Sequence, residues 1–168
     1  MDFFIPPRVC IGLKTRVIST GDMVINNAMP VYEVTSEEET IQIAHSVAAQ
    51  AKKGDVYLLS APMGAGKSVF ARAFIQSLCG KDTDVPSPTF TLVQMYDSPT
   101  APIWHFDLYR LAHEEEVLNI GWDDALTADN ICLIEWPEKA GFYLPKMAKN
   151  ITIDILEETR RRIWVNEP

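Results

Sequence analysis

The stretch Ala61-Pro62-Met63-Gly64-Ala65-Gly66-Lys67-Ser68 has the residue types and spacing of a phosphate cradle. A P-loop reads Gly-x-x-x-x-Gly-Lys-Ser/Thr, and only the first position departs here, with Ala61 in place of Gly. Its chemistry is anion binding. A turn of small residues aims successive backbone N–H groups inward, and the N-terminus of the following helix adds partial positive charge. Lys67 would reach the β- and γ-phosphates, and the Ser68 hydroxyl would sit on Mg²⁺. A Cβ at Ala61 is harmless at negative φ and costly only if that position is left-handed. The bland reading is a Gly-rich turn that binds nothing, and Lys-Ser directly after Gly-Ala-Gly argues against it.

Such a loop needs acidic groups to hold a metal ion and position water. In an α/β sheet they sit at the C-terminal ends of neighbouring strands. Asp107 ends the run Ile103-Trp104-His105-Phe106-Asp107, and Glu135 ends Ile131-Cys132-Leu133-Ile134-Glu135. Glu135 follows four apolar residues, the Walker-B pattern in which a buried strand delivers an acid beside Mg²⁺. Either acid alone could be a strand end facing solvent; two of them beside a P-loop make that reading weaker. Ser87-Pro88-Thr89 stands where a switch loop would lie, and Thr89 there could coordinate the metal or sense the γ-phosphate. Trp136 either presents an aromatic face to the site or belongs to the core. His105 reads as packed or hydrogen-bonded rather than catalytic, and Arg160-Arg161-Arg162 as an exposed hairpin turn.

The elements that must position these groups follow a regular order. Val31–Val34 reads as a first strand, and Ser36-Glu37-Glu38-Glu39 has capping-box spacing that opens a helix. Ile41, Ala44, Val47, Ala48 and Ala51 supply the apolar face of that helix, and Gly54 ends it. Val56–Ser60 is a short buried strand, and Val69, Phe70, Ala73, Phe74 and Leu78 recur at helical spacing after Gly66. A β-rich run over 89–96 follows the Pro86-Ser87-Pro88 punctuation. The spacing then predicts a strand at 103–107, short helices near 113–119 and 122–128, and a central strand at 131–135. Residues 151–156 and 161–165 alternate as an antiparallel hairpin. The fold class is therefore α/β: a mostly parallel, P-loop NTPase-like sheet with helices on both faces and a C-terminal antiparallel hairpin.

Composition bounds the class. A chain of 168 residues with 47% hydrophobic content can bury one good core. The net charge of −8 argues against a large sequence-independent nucleic-acid surface, though not against a role in RNA metabolism through partners. Cys10, Cys79 and Cys132 are odd in number and widely spaced, as expected of reduced thiols in a cytoplasmic protein. No apolar run approaches a membrane span. Residues 1–30 have no signal-peptide core and are expected to be a poorly ordered extension, with residues 31–168 forming the domain.

Four blocks appear in order: Met63–Ser68, Ser87–Val93, His105–Arg110 and Leu133–Glu138. Together they resemble the TsaE (YjeE) family of small bacterial ATPases of tRNA threonylcarbamoyladenosine synthesis. The resemblance covers about residues 31–165. The family usually has Gly-Asp-Leu-Gly-Ala-Gly-Lys-Thr where this chain has Ala61–Ser68; Ala61 departs from the P-loop pattern, and Ser68 in place of Thr keeps the hydroxyl. The resemblance implies binding of ATP and Mg²⁺ and weak hydrolysis by the protein alone. It implies action with the TsaB–TsaD complex, through which tRNAs reading ANN codons are reached indirectly and modified at adenosine 37. Residue by residue, it implies phosphate and nucleotide contacts from Met63, Gly64, Ala65, Gly66, Lys67, Ser68 and Val69. Metal ligation falls to Ser68 and Glu135, catalysis to Thr89, Asp107 and Glu135, and an active-site aromatic to Trp136. Ser36 and Glu37 match positions near the adenine more loosely.

Other classes stay in view. A P-loop small-molecule kinase would need arginines over an acceptor pocket, and apart from Arg72 and Arg110 few positions could serve. A GTPase would need Asn-Lys-x-Asp, which the chain lacks. A non-catalytic interaction module with a degenerate P-loop is made thinkable by Ala61.

Overall fold

The computed structural model describes residues 30–166. The expected N-terminal extension, residues 1–29 of it, lies outside the described residues. Seven strands form a single sheet: β1 (Val31–Val34), β2 (Val56–Ser60), β3 (Val93–Tyr96), β4 (Ile103–Asp107), β5 (Ile131–Glu135), β6 (Lys149–Ile155) and β7 (Arg161–Asn166). Their order across the sheet is β1-β7-β6-β2-β5-β4-β3. The parallel pairings, β6 with β2, β2 with β5 and β5 with β4, occupy the centre. The antiparallel pairings, β1 with β7, β7 with β6 and β3 with β4, lie towards the margins.

The central strands have apolar residues on both faces because both faces are covered. Tyr57 and Leu59 of β2 and Ile131 and Leu133 of β5 enter one core with α1 (Glu37–Ala48) and α2 (Lys67–Cys79). Val56 and Leu58, Cys132 and Ile134 enter a second core on the opposite face, under α3 (Trp122–Ala125) and the 3₁₀ helices Glu114–Ile120 and Pro137–Tyr143. Edge-to-face rings lock each layer, Tyr57 on Phe74 at 4.9 Å and Phe106 on Trp122 at 5.2 Å. Helices on both faces and the C-terminal hairpin thus follow the sequence pattern, but one layer is built of long α-helices and the other of short helices, two of them 3₁₀.

Local chemistry explains the starts of the helices. Ser36 caps α1, its Oγ accepting from Glu39 N at 3.2 Å. Glu39 turns its carboxylate to Thr35 N and Oγ1 rather than to Ser36 N, so the box is displaced by one residue. The β-rich run expected over 89–96 becomes a strand only at Val93. Leu92 is left-handed at φ 66, and its N–H donates to Pro88 O at 2.7 Å, which folds 88–92 into a turn. Among the described residues no helix is long and apolar enough to cross a membrane.

Candidate functional site

The parallel register places the ends of β2, β4 and β5 on one edge. Leu59 lies opposite Glu135, and Glu135 opposite Asp107. The chain leaves β2 at Ser60 and turns through 61–66 into α2, whose N-cap is Gly66 at φ 105. Gly64 is also left-handed, at φ 77. Both would bear strain with a Cβ, although open space surrounds each one, so glycine is needed here for conformation and not for room. Among the described non-glycine residues only Leu92 and Trp136 have positive φ, so Ala61 is not left-handed and its methyl group is tolerated.

Lys67 is nearly buried at 7% exposure. Its Nζ donates to the carbonyls of Ala61 at 2.6 Å and Pro62 at 3.1 Å, and lies 3.8 Å from the centre of the Trp136 ring. Burial lowers its pKa from the ordinary lysine value, while Glu135, Asp107 and Glu138 pull it back up. The three carboxylates thus offset part of the burial penalty on the charged form that a phosphate requires.

Asp107 organises the loop that precedes β3. Thr89 Oγ1 donates to Asp107 Oδ2 at 2.6 Å, and Ser87 Oγ lies 2.7 Å from Thr89 Oγ1. The other carboxylate oxygen accepts from Tyr109 N at 3.0 Å. Glu135 is buried and meets His105 Nε2 at 2.8 Å. Trp136, left-handed at φ 56, begins the turn into Pro137–Tyr143 and stacks at a tilt on Tyr109, with ring centres 5.0 Å apart.

These groups face a common cavity of about 370 Å³, lined by Met63, Gly64, Gly66, Lys67, Ser68, Val69, Ser87, Thr89, Asp107, Tyr109, Glu135 and Trp136. A second cavity of about 350 Å³ shares Gly64, Gly66 and Val69 with it and adds Ala65, Ser36 and Glu37. Every site residue singled out in the sequence therefore borders one cavity or the other, and the P-loop is the wall between them. Tyr109, Thr35, Thr40, Thr159 and Arg161 were not singled out as site residues. Arg161, read as part of an exposed turn, lines the second cavity because β7 pairs with β1 and sets Arg161 opposite Val34. No local sequence signal announces that pairing; Tyr109 was detectable as the neighbour-but-one of Asp107.

The donor set suits phosphate and a hard cation. Left-handed glycines, a helix N-terminus and a lysine make an anion cradle. Ser68 and Glu135 offer oxygen, the donor that Mg²⁺ prefers. Among the described residues no group of three or more His, Cys, Asp or Glu is placed to hold a metal ion.

Residues 34–163 match the protein family described as "Threonylcarbamoyl adenosine biosynthesis protein TsaE". A Rickettsia felis protein named tRNA threonylcarbamoyladenosine biosynthesis protein TsaE is 38% identical over 76% of this chain and 74% of its own. The Bacillus subtilis protein of the same name is 36% identical over 79% of this chain and 82% of its own. The crystal structure of Bacillus subtilis YdiB superposes with a TM-score of 0.68 at 30% identity, covering 82% of this chain and 84% of that one.

Proposed function

The chain belongs to the TsaE family, and from that premise we propose that it is an Mg²⁺-dependent ATPase serving threonylcarbamoyladenosine synthesis in tRNA. The observation that carries this reading is the convergence of Lys67, Ser68, Thr89, Asp107 and Glu135 on one cavity at the end of three adjacent parallel strands. In this reading residues 31–168 are the ATPase domain and act in the cytoplasm.

Lys67 exchanges the Ala61 and Pro62 carbonyls for phosphate oxygens, helped by the amides of Met63–Ser68. Ser68 and Glu135 would hold Mg²⁺, which would supply positive charge against the phosphates. Thr89 donates its hydroxyl hydrogen bond to Asp107 and accepts from Ser87, which leaves one Thr89 lone pair that would serve the metal or the γ-phosphate. Asp107 thereby holds the loop carrying Ser87 and Thr89 at the end of β4. Trp136 covers Lys67 with its ring and reduces water access to the phosphate end. The second cavity, with Ser36, Glu37 and Val69, takes the nucleoside.

Turnover is weak in the isolated protein and rises in the presence of the TsaB–TsaD complex. The protein meets tRNA through that complex, which its net charge of −8 favours over direct contact. The test is reconstitution with TsaB, TsaD and a tRNA reading ANN codons. ATP hydrolysis should rise on adding the partners, and modified adenosine should accumulate only when all are present. Hydrolysis indifferent to the partners would remove the assignment to that complex; absence of Mg²⁺-dependent ATP binding would remove the ATPase itself.

A further inference from the structure

One buried polar contact at the site has no role in the mechanism above. Strand alternation puts Ile103, His105 and Asp107 on the face of the sheet covered by α2, together with Ile131, Leu133 and Glu135. The parallel register sets His105 beside Leu133 and Asp107 beside Glu135, so the imidazole reaches Glu135 along the diagonal. His105 Nε2 and Glu135 Oε1 are 2.8 Å apart, and the two residues are 1% and 2% exposed. An ionised carboxylate only accepts, so Nε2–H is the donor. His105 Nδ1 is buried and has no hydrogen-bond partner among the described residues. The geometry therefore assigns the ring proton of this contact to Nε2, facing Glu135.

We propose that His105 is a positioning residue for Glu135. By occupying Oε1 it fixes the rotation of the carboxylate and leaves Oε2 as the oxygen available to the cavity that Glu135 lines. Glu135 would then offer a cation its second oxygen, its orientation set by β4 rather than by its own flexible side chain. This inference rests on the reading of Glu135 as the Mg²⁺-holding acid.

The test uses the full chain with Mn²⁺ as a paramagnetic probe of the cation site, its binding in the presence of ATP followed by electron paramagnetic resonance. His105→Leu removes the donor, and His105→Gln keeps an N–H near the Nε2 position. H105L should weaken Mn²⁺ binding by about tenfold or more with metal-free ATP binding unchanged, and H105Q should restore most of the affinity. H105L binding Mn²⁺ as tightly as the parent overturns the proposal, as does equal loss in both variants. A parent protein that binds no Mn²⁺ with ATP instead overturns the functional reading beneath it.

If circular dichroism shows H105L unfolded, ¹⁵N NMR of the parent decides. His105 should be the Nε2–H tautomer, and its Nε2 resonance should move when Mg²⁺ is added to the ATP-bound protein but not when ATP is added alone. An Nδ1–H tautomer, or a resonance indifferent to Mg²⁺, overturns the proposal; a purely structural histidine would be indifferent.

Discussion

Lys67 has its charge held in readiness by its own loop. Its ammonium rests on the Ala61 and Pro62 carbonyls and the Trp136 face, so binding phosphate exchanges neutral partners for an anionic one. Charge-assisted hydrogen bonds contribute about 1.5–3 kcal/mol each, so Lys67→Ala should weaken ATP binding by roughly 10- to 100-fold in calorimetric titration. Glu135→Ala should behave differently. It removes a cation ligand but no phosphate contact, so hydrolysis and the response to Mg²⁺ should fall much further than affinity for ATP. Equal losses in binding for the two variants would show that the acid and the base do not divide the work in this way. At this scale the sequence was highly informative: Lys67, Ser68, Asp107 and Glu135 were identifiable because their types and strand-end placement suffice. Arg161 and Thr159 were not, because nothing within their own segment refers to the P-loop.

Among the elements, the strand-to-helix turn and the central strand pair carry the most consequence. Gly66→Ala would force a Cβ onto a residue at φ 105 with nothing to clash against, which isolates the backbone cost. That cost is about 1–2 kcal/mol, so the variant should fold with a lowered melting temperature and a weakened grip on ATP. At the opposite end of the sheet Asp55 accepts from Lys149 Nζ at 2.8 Å, tying the start of β6 to the residue before β2. Burial raises the Asp55 pKa, but the Lys149 ammonium, the Lys52 amide and the Tyr57 hydroxyl outweigh it, leaving the carboxyl below its ordinary 3.8. A depressed folded-state pKa gives stability that is present above the unfolded value and lost as pH falls through the folded one. Asp55→Asn should therefore cost roughly 1 kcal/mol at pH 7, and melting curves of parent and variant should draw together below about pH 4. A difference that persists undiminished in acid would mean the pair contributes by shape rather than charge. The elements themselves were mostly evident from periodicity. One exception is α1, which stops at Ala48 rather than at Gly54; another is 89–92, whose strand-like residues the Leu92 turn and the Thr89–Asp107 hydrogen bond draw out of the sheet.

As a whole molecule, the protein is a sheet with a two-chambered edge, and ligand binding there should be felt throughout the fold. A ligand that binds only the folded state stabilises it by about 2.7 kcal/mol at 100 times its dissociation constant. ATP with Mg²⁺ should accordingly raise the melting temperature of the parent, and chelating the Mg²⁺ with EDTA should return much of the gain; a melting temperature blind to both would contradict the proposed ligands. The sequence by itself determined the cradle, the acids and the class of fold. Each of these rests on local rules: small residues before Lys-Ser, apolar runs ending in a carboxylate, and apolar spacing that changes period between strand and helix. Tertiary structure alone decided which distant segments meet. The order β1-β7-β6-β2 brings Arg161 and Thr159 to the Ser36 side of the P-loop, and the β4–β5 register sets His105 against Glu135. Strand order and register are set by packing both faces of the sheet at once, a condition on the whole chain that no single segment records.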